Sequence, residues 1–370
     1  MSQEKEFFFK YPEKRDAVIL LGAGASYPDG VPLQKDILPI ILDGKNEEIE
    51  SSEIGSAVVK FIRENFSVTN KKNYPQLEAI FGFLDYFLYQ RESLNSFYSN
   101  SYIFTLKEYL IKLIHYVVNY KTNKPSHCYL EFWNQIEETN KNISLLTLNY
   151  DTLLEQAFND LYQQNNYIDY CINFMNYEHI DQLSNYHFWV NPREPLPVKA
   201  DKLPHLFKII KIHGSLNWKY CNCCNQVMLT PWDRKIDLKK NKFLGYTYPD
   251  KKEYEFLCPI DHTEFQTLIM PPTFVKNLKQ PVLSQLRNEA SREIRAAKKI
   301  IIIGYSLSYA DIHIKALFKK NLAPDTEIIV VNPKMNSKVK QKFESLSNKI
   351  KFIKSPFEEF LNSDSLKNFL

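Results

Sequence analysis

The C-terminal third of the chain alternates short apolar runs with segments of helical periodicity, and this alternation constrains the fold most strongly. The apolar runs cover Ile300 to Ile303, Glu327 to Val331 and Ile350 to Ile353. Helical patterns lie between them, from Asp311 to Lys320 and around Ser337 to Leu346. Strands that alternate with helices along a chain are typical of a parallel sheet with right-handed crossovers. The sequence therefore predicts an α/β fold with a Rossmann-like, doubly wound parallel sheet.

The strand pattern also occurs earlier in the chain. Ala17 to Leu21 is a continuous apolar run that suits a parallel strand buried on both faces, and Ile143 to Leu148 and Leu206 to Ile212 repeat the pattern. Between the first two runs, residues 41–140 carry apolar side chains at spacings of three and four, as amphipathic helices do. We expect residues 41–140 to form an inserted helical lobe that packs over the ligand cleft of a single domain spanning residues 1–370.

Charge and hydropathy limit the classes of partner. The chain has 47 Lys and Arg against 43 Asp and Glu, a formal net charge of +4. This balance argues against direct nucleic-acid binding, which needs a basic footprint. No apolar run approaches the ~20 residues that span a bilayer, and Met1 to Lys10 lacks the apolar core of a signal peptide. We therefore expect a cytoplasmic protein without a membrane partner.

Glycine-rich turns follow two of the predicted strands. Glycines let the backbone approach a pyrophosphate, and the N-terminus of a following helix adds amides and the positive end of its dipole. The alternative is a tight strand-to-helix turn that binds no ligand. The residues that we expect to contact a dinucleotide from these turns are Gly22, Ala23, Gly24 and Ser26 in the first and Gly304 and Ser306 in the second.

Polar side chains follow three further strands at their carboxyl ends, where ligands bind in open α/β sheets. Asn149 and Asp151 lie two residues apart, which places them on the same side of an extended segment. The alternative is that Asp151 has no role beyond capping the next helix. His213 could act as a general base because the pKa of histidine lies near neutral pH, or it could be purely structural. Asn332 could meet the adenosine half of a dinucleotide, or form a simple turn with Pro333.

The motifs resemble those of the sirtuin family, in the same order and over nearly the whole chain. The closer resemblance is to the bacterial sirtuin-like branch of antiviral defence proteins, through residues 146–154, 211–218, 270–273 and 304–311. The family resemblance adds Pro32 to the residues expected to bind NAD. The motifs that carry the family resemblance are Gly-Ala-Gly-Ala-Ser at 22–26, Gly30-Val31-Pro32, Thr-Leu-Asn-Tyr-Asp at 147–151, His213-Gly214, Gly304-Tyr305-Ser306 and Val331-Asn332-Pro333.

The resemblance implies that NAD is the substrate. In sirtuins the Asn and Asp of the second motif position the nicotinamide ribose and its leaving group, and the His acts as general base. By this resemblance, Asn149, Asp151 and His213 are the catalytic residues.

Two departures from the sirtuin pattern favour water over an acylated peptide. The Asp-Phe-Arg that follows Gly-Ile-Pro is replaced by residues 33–35, Leu-Gln-Lys, and the peptide-clamping Phe-Gly-Glu strand is replaced by Ile269 to Thr273. We therefore expect an NAD hydrolase that releases ADP-ribose and nicotinamide in bacterial antiphage defence. The alternatives are an NAD-dependent protein deacylase or ADP-ribosyltransferase, and a non-catalytic sensor of NAD or ADP-ribose.

A cysteine-containing stretch at residues 218–265 resembles the zinc module of sirtuins. Cys221 and Cys224 have C-x-x-C spacing, and Cys258 follows some thirty residues later. His262 could supply a fourth ligand and complete a Cys3His zinc site. The alternative is a degenerate knuckle that folds without metal.

The implied activity requires regulation, because an NAD hydrolase that ran freely would kill its host. We expect no second effector domain in these 370 residues. We therefore expect the chain to be activated as a homo-oligomer or by another protein, such as a companion ATPase or nuclease subunit.

Overall fold

A computed structural model describes residues 7–68, 74–122, 125–161, 166–176, 189–191, 197–198, 204–230, 236–246, 253–255, 257–274, 276 and 278–370. The chain forms two compact units, both built from segments that are distant in sequence. The first unit consists of Met1–Asp29, Pro125–Gly214 and Leu278–Leu370, and the second of Gly30–Lys124 and Ser215–Asn277.

Short strands occur throughout the described residues. In chain order they are β1 (Phe7–Phe8), β2 (Ala17–Leu21), β3 (Ile143–Thr147), β4 (Asn166–Asp169), β5 (Trp189–Val190), β6 (Pro197–Val198), β7 (His205–Lys211), β8 (Gly214–Tyr220), β9 (Val227–Leu229), β10 (Ile236–Asp237), β11 (Lys242–Tyr246), β12 (Glu253–Glu255), β13 (Gln266–Ile269), β14 (Lys299–Ile303), β15 (Glu327–Val331) and β16 (Ile350–Ile353).

Helices separate these strands, and in the part of the chain that is described none of them is both long and apolar enough to cross a membrane. In chain order the helices are α1 (Ala23–Ser26), α2 (Gln34–Leu42), α3 (Glu47–Glu50), α4 (Glu53–Asn65), α5 (Leu77–Gln90), α6 (Asn100–Lys121), α7 (His127–Thr139), α8 (Leu153–Leu161), α9 (Pro281–Ala296), α10 (Ile312–Asn321), α11 (Ser337–Glu344) and α12 (Phe357–Asn362).

The first unit is built on an eight-stranded sheet in the order β16-β15-β14-β2-β3-β7-β4-β5. Every neighbouring pair is parallel. Residues of β2 and β3 are buried throughout, as expected for apolar strands covered on both faces. The predicted doubly wound parallel sheet is confirmed.

The order of the strands reverses at β2. After β2 the chain places β3, β4, β5 and β7 on one side of it, with β3 adjacent to β2, and it later returns to place β14, β15 and β16 on the other side. Ligands of open α/β sheets bind outside the carboxyl ends of the strands at such a reversal. The turns that follow β2 and β14 therefore lie where a ligand site is expected.

The second unit contains α2 to α6 and two three-stranded sheets, ordered β13-β8-β9 and β10-β11-β12. Lys112 on α6 donates from Nζ to the backbone carbonyl of Asn241 at 2.9 Å and to a carboxylate oxygen of Glu264 at 3.0 Å. These bonds tie the helices to the cysteine-containing stretch within one unit. Helix α7 belongs to the first unit, so residues 41–140 contribute to both units, and the packing of the predicted lobe over a cleft stays a prediction.

Candidate active site

The two predicted glycine turns lie side by side at the reversal of the sheet. The backbone N–H of Gly22 donates to the carbonyl of Ile303, and that of Gly24 donates to the carbonyl of Gly304, both at 2.9 Å. A Cβ on Gly24 would lie only 2.8 Å from the Cα of Gly304. The turns are therefore in backbone contact, which explains why glycines occupy them whether or not a ligand binds.

Among the glycines of the two turns, Gly304 carries the strictest backbone requirement, and Gly304→Ala should lower the free energy of unfolding by about 2–3 kcal/mol. Its φ is +66°, and an added Cβ would lie 2.4 Å from the backbone N of Ala25. Urea unfolding measures the change. Gly82→Ala in α5 is the control, because an added Cβ there meets no atom within 4 Å; it should raise stability by about 0.5–1 kcal/mol. A Gly304→Ala protein as stable as the parent would contradict the close packing of the turns.

The side chain of Asn149 joins the first turn to the end of β3. Its Nδ2 donates to the carbonyl of Gly22 and to Oγ of Ser26, both at 3.0 Å. The backbone N–H of Asn149 donates to Oγ1 of Thr147 at 3.1 Å. Because both amide hydrogens are engaged, the orientation of the Asn149 amide is fixed. The structure thus brings together three of the residues predicted from sequence.

Tyr129 completes this group and was not predicted from sequence. Its hydroxyl lies 2.9 Å from Oγ of Ser26, and both side chains are buried. Burial raises the pKa of Tyr129 well above its ordinary value, so the phenol stays protonated at neutral pH. The start of α7 is fixed by Ser126, whose Oγ accepts from the backbone N–H of Tyr129 at 2.9 Å. The Ser126 cap thereby positions the tyrosine.

Asp151 lies buried at the start of α8, where its Oδ1 accepts from the backbone N–H of Leu153 at 3.2 Å. Its carbonyl oxygen accepts from Nζ of Lys211 at 2.5 Å. Burial raises the pKa of the Asp151 carboxyl, and the charge of Lys211 opposes the rise. The side chain therefore does contact the helix start, and its electrostatic environment depends on a lysine at the end of β7.

His213 lies two residues beyond the end of β7 and meets a second histidine. Its Nε2 is 2.9 Å from Nε2 of His313 on α10, and both imidazoles are buried. Asp311 lies beside them at the end of a 3-10 turn, and its Oδ2 accepts from the hydroxyl of Tyr305 at 3.1 Å. Sequence analysis missed both partners, although Asp-x-His at the start of a helix after the second glycine turn was a readable signal.

The remaining predicted residues of the turns have different settings. Ala23 and Ser306 are exposed. Asn332 is buried, and its Nδ2 donates to the carbonyl of Tyr305 at 3.2 Å while its Oδ1 accepts from the backbone N–H of Lys334 at 2.9 Å. Asn332 therefore supports the second turn and forms a turn of its own. Pro32 is half-buried and precedes α2 in the second unit.

The cysteine cluster of the second unit comprises Cys221, Cys224, Cys258 and Asp261. One ligand atom from each lies within 4.8 Å of the others. The Sγ atoms of Cys224 and Cys258 are 3.7 Å apart, close to the separation of about 3.8 Å that two sulfurs have on a tetrahedral Zn²⁺ with 2.3 Å bonds. Sγ of Cys221 lies 3.3 Å from Oδ2 of Asp261. Three thiolates and a carboxylate therefore fit a structural zinc ion.

Asp261 takes the place that sequence analysis assigned to His262. His262 is exposed and lies outside the group of ligand atoms. The reason is local: the backbone N–H of His262 donates to the carbonyl of Cys258 at 2.8 Å, and Oδ1 of Asp261 accepts from the backbone N–H of Thr263 at 2.9 Å. The resulting tight turn brings the Asp261 carboxylate to Cys221.

Asp261→Ala should weaken metal binding at this cluster by about 10-fold or more, because it removes one of the four side chains that would coordinate the ion. Co²⁺ bound to thiolates gives a charge-transfer absorption band, and competition with a chelator while this band is followed measures the affinity. His262→Ala is the matched control and should leave the affinity unchanged. The opposite order of the two variants would restore His262 as the fourth ligand.

Comparisons with known proteins place this site in a family. A family model described as a SIR2-like domain matches residues 143–352. Among solved structures, a Sir2 homolog in complex with NAD is 14% identical, with 96% of this chain and 90% of that chain covered and a TM-score of 0.45. Sir2Tm bound to a propionylated peptide is 13% identical, with 96% and 94% covered and a TM-score of 0.43. No curated protein matches the sequence significantly. Because the family model covers more than half of the chain, the protein belongs to the family of SIR2-like domains.

Proposed function

We propose that this chain hydrolyses NAD⁺ to ADP-ribose and nicotinamide. The observation that carries the proposal is the position of Asn149, Asp151 and His213, which are all buried and follow neighbouring strands of one parallel sheet at their carboxyl ends. The paired glycine turns lie at the reversal of the same sheet, where dinucleotides bind in doubly wound folds. Membership of the SIR2-like family supports NAD as the substrate.

The chemistry requires a site that favours a positively charged ribose. Nicotinamide leaves when the bond from its ring nitrogen to ribose C1′ breaks, and the electron pair of that bond returns to the ring. The oxygen of a water molecule bonds to C1′, and its surplus proton passes to a base. A positioned general base typically raises the rate of the reaction by about 10²–10⁴-fold. His213 has this role. Fixed dipoles that face the developing charge stabilise the transition state.

Asn149 is the best candidate for such a dipole. Gly22 and Ser26 accept both of its amide hydrogens, which leaves the amide oxygen in a fixed orientation for the ribose. Preorganised polar groups need no rearrangement when charge develops, which is why they stabilise a transition state more than water does. The exposed residues Ala23 and Ser306 are available to the phosphates of the same ligand.

Two prolines favour water, rather than the acyl oxygen of a peptide, as the nucleophile. Pro271 and Pro272 begin two residues after the end of β13, and neither has a backbone N–H. A peptide that binds by strand addition relies on main-chain hydrogen bonds. The segment Ile269 to Thr273, which replaces the peptide-clamping strand of sirtuin deacylases, therefore offers two fewer backbone donors to such a peptide.

The direct test is to incubate the purified chain with NAD⁺ and separate the products, with and without an acetyl-lysine peptide. The proposal predicts equal amounts of ADP-ribose and nicotinamide in both samples. Release of nicotinamide only with the peptide would instead indicate a deacylase. A chain that binds NAD⁺ but does not consume it, even as an oligomer and with its partners present, would instead be a sensor.

Asn149→Ala should lower the rate of nicotinamide release by about 10²-fold, because it removes one preorganised dipole from the site. The measurement is the initial rate at saturating NAD⁺, with circular dichroism as a check on folding. Asn348→Ala is the control, since Asn348 is an exposed asparagine of the same unit. Full activity in Asn149→Ala would remove this residue from the mechanism.

We further propose that the activity serves bacterial antiphage defence and depends on assembly, as a homo-oligomer or with a companion ATPase or nuclease subunit. Uncontrolled hydrolysis would exhaust the NAD of the host, so the activity must be gated. The second unit carries exposed aromatic side chains, a residue type that is enriched at interfaces; they include Tyr86, Tyr89, Phe97 and Phe104. Light scattering at several concentrations beside the NAD assay tests the proposal. A strictly monomeric chain whose high specific activity is independent of concentration would contradict it.

A further inference from the structure

A cluster of two histidines and one carboxylate lies within the first unit. His213 and His313 approach through their Nε2 atoms at 2.9 Å, and a carboxylate oxygen of Asp311 lies within 4.8 Å of both ligand nitrogens. His213 and His313 are only 5% and 8% exposed. This cluster, termed here the His-His-Asp cluster, belongs to a different unit from the cysteine cluster and contains no sulfur.

The donor set of this cluster suits a divalent transition metal. Two imidazole nitrogens with one carboxylate oxygen form a known catalytic ligand set for Zn²⁺, and three protein ligands leave a coordination position open. Ligand atoms about 2.0–2.1 Å from a tetrahedral ion lie about 3.3–3.4 Å from each other. The two Nε2 atoms are 2.9 Å apart, somewhat closer than this value, and the carboxylate oxygen lies within 4.8 Å of the ligand nitrogens, so modest side-chain movements suffice to close a coordination shell.

The backbone holds the three ligands on ordered elements. The backbone N–H of Ile212 donates to the carbonyl of Thr147 at 3.1 Å, which extends the pairing of β7 with β3 to the residue before His213. Asp311 ends the 3-10 turn Tyr309–Asp311, and His313 follows two residues later on α10. Tyr305 donates to Oδ2 of Asp311, and a hydrogen bond of this kind orients a ligating carboxylate.

We propose that the His-His-Asp cluster binds a divalent ion of the zinc class and that the bound ion switches the site off. A nitrogen whose lone pair coordinates a metal cannot accept a proton, and the ion occupies Nε2 of His213. The inhibitory part of the proposal rests on the proposed hydrolase function, in which His213 is the base. The binding part rests only on the geometry of the three ligands.

Binding is tested with Co²⁺ as the probe and equilibrium dialysis as the measurement. The double variant Cys221→Ser/Cys224→Ser removes the competing thiolate site and should bind about one Co²⁺ per chain. Adding His313→Gln should abolish this binding. Adding His205→Gln is the matched control, because His205 is an exposed histidine at the opposite end of β7. Equal binding with and without His313→Gln would overturn the proposed site.

A second measurement covers the case in which loss of the thiolate site unfolds the chain. In the otherwise unchanged protein, Co²⁺ at the cysteine cluster gives a thiolate charge-transfer band, whereas Co²⁺ at the His-His-Asp cluster does not. His313→Gln should keep the band and lose about one equivalent of bound Co²⁺. An unchanged total of bound Co²⁺ would again overturn the site.

Nicotinamide release tests the inhibitory part. Chelator-treated protein should release nicotinamide, and saturating Zn²⁺ should lower that rate by about 10³-fold, the contribution of the general base that the ion blocks. An unchanged or higher rate with Zn²⁺ bound would overturn the inhibitory part of the proposal but not the metal-binding part. A chain that binds the ion but releases no nicotinamide in either state, with or without partners, would instead overturn the hydrolase function.

Discussion

His213→Ala should lower kcat for nicotinamide release by about 10³-fold and leave the fold intact, because the variant lacks the base that accepts the proton of the attacking water. KM for NAD⁺ should change little, since this interaction forms in the transition state. Initial rates at varied NAD⁺ measure both constants, and a chelator in every sample excludes an effect of bound metal.

His205→Ala is the control for this experiment. His205 is the exposed first residue of β7, whereas His213 lies just beyond the other end of this strand, at the edge of the sheet where the glycine turns lie. It should retain the rate of the parent. If His213→Ala also kept full activity under the same conditions, another residue would have to be the base.

Lys211→Met should lower the free energy of unfolding by about 3–5 kcal/mol, since it breaks a fully buried ion pair. Nζ of Lys211 lies 2.8 Å from Oε1 of Glu155, and the two side chains are 1% and 0% exposed. Without the lysine, the Glu155 carboxylate and the carbonyl of Asp151 lose a buried donor. Urea unfolding at constant pH measures the change.

The double variant Lys211→Met/Glu155→Leu distinguishes a buried charge from a general packing defect. Replacing both partners with apolar side chains removes the unpaired charge and should restore most of the lost stability. Lys298→Met, which breaks an exposed pair with Asp16, should cost less than about 1 kcal/mol. A double variant as unstable as Lys211→Met would show that packing, not charge, dominates.

The effect of pH supplies an independent check on the same variant. Burial already raises the pKa of Glu155 above its ordinary value, with Lys211 opposing the rise, so loss of Lys211 should raise it further. A carboxyl whose pKa is higher in the folded than in the unfolded chain destabilises the fold at neutral pH and ceases to do so once it is protonated in both states. The stability deficit of Lys211→Met should therefore shrink as the pH is lowered.

The parallel sheet and the glycine turns were predictable because their signals are local. Buried strands such as β2 and β14 are continuous apolar runs, and a turn that must approach another backbone needs glycine at a definite place. The position of Asn149 at a strand end follows from the same pattern. These features depend on neighbours within a few residues along the chain.

The partners of the predicted residues were not predictable, because they come from distant segments. Tyr129 contacts Ser26 from α7, and His313 contacts His213 across 100 residues of sequence. Lys211 interrupts an apolar run in the sequence, and its buried partner Glu155 lies on a different element, α8. Similarly, only the tight turn after Cys258 shows that Asp261, and not His262, approaches the thiols.

The central position of β2 has a consequence for how the chain is made. Its two neighbours, β3 and β14, emerge from the ribosome long after it, and β14 emerges only after the entire second unit. Until then one edge of β2 has no native partner, and an unpaired apolar edge promotes aggregation. Pairings between strands so distant in sequence also form slowly. Nascent chains that stop before Lys299 should therefore depend on chaperones, and the first unit should become protease-resistant only after β14 has emerged.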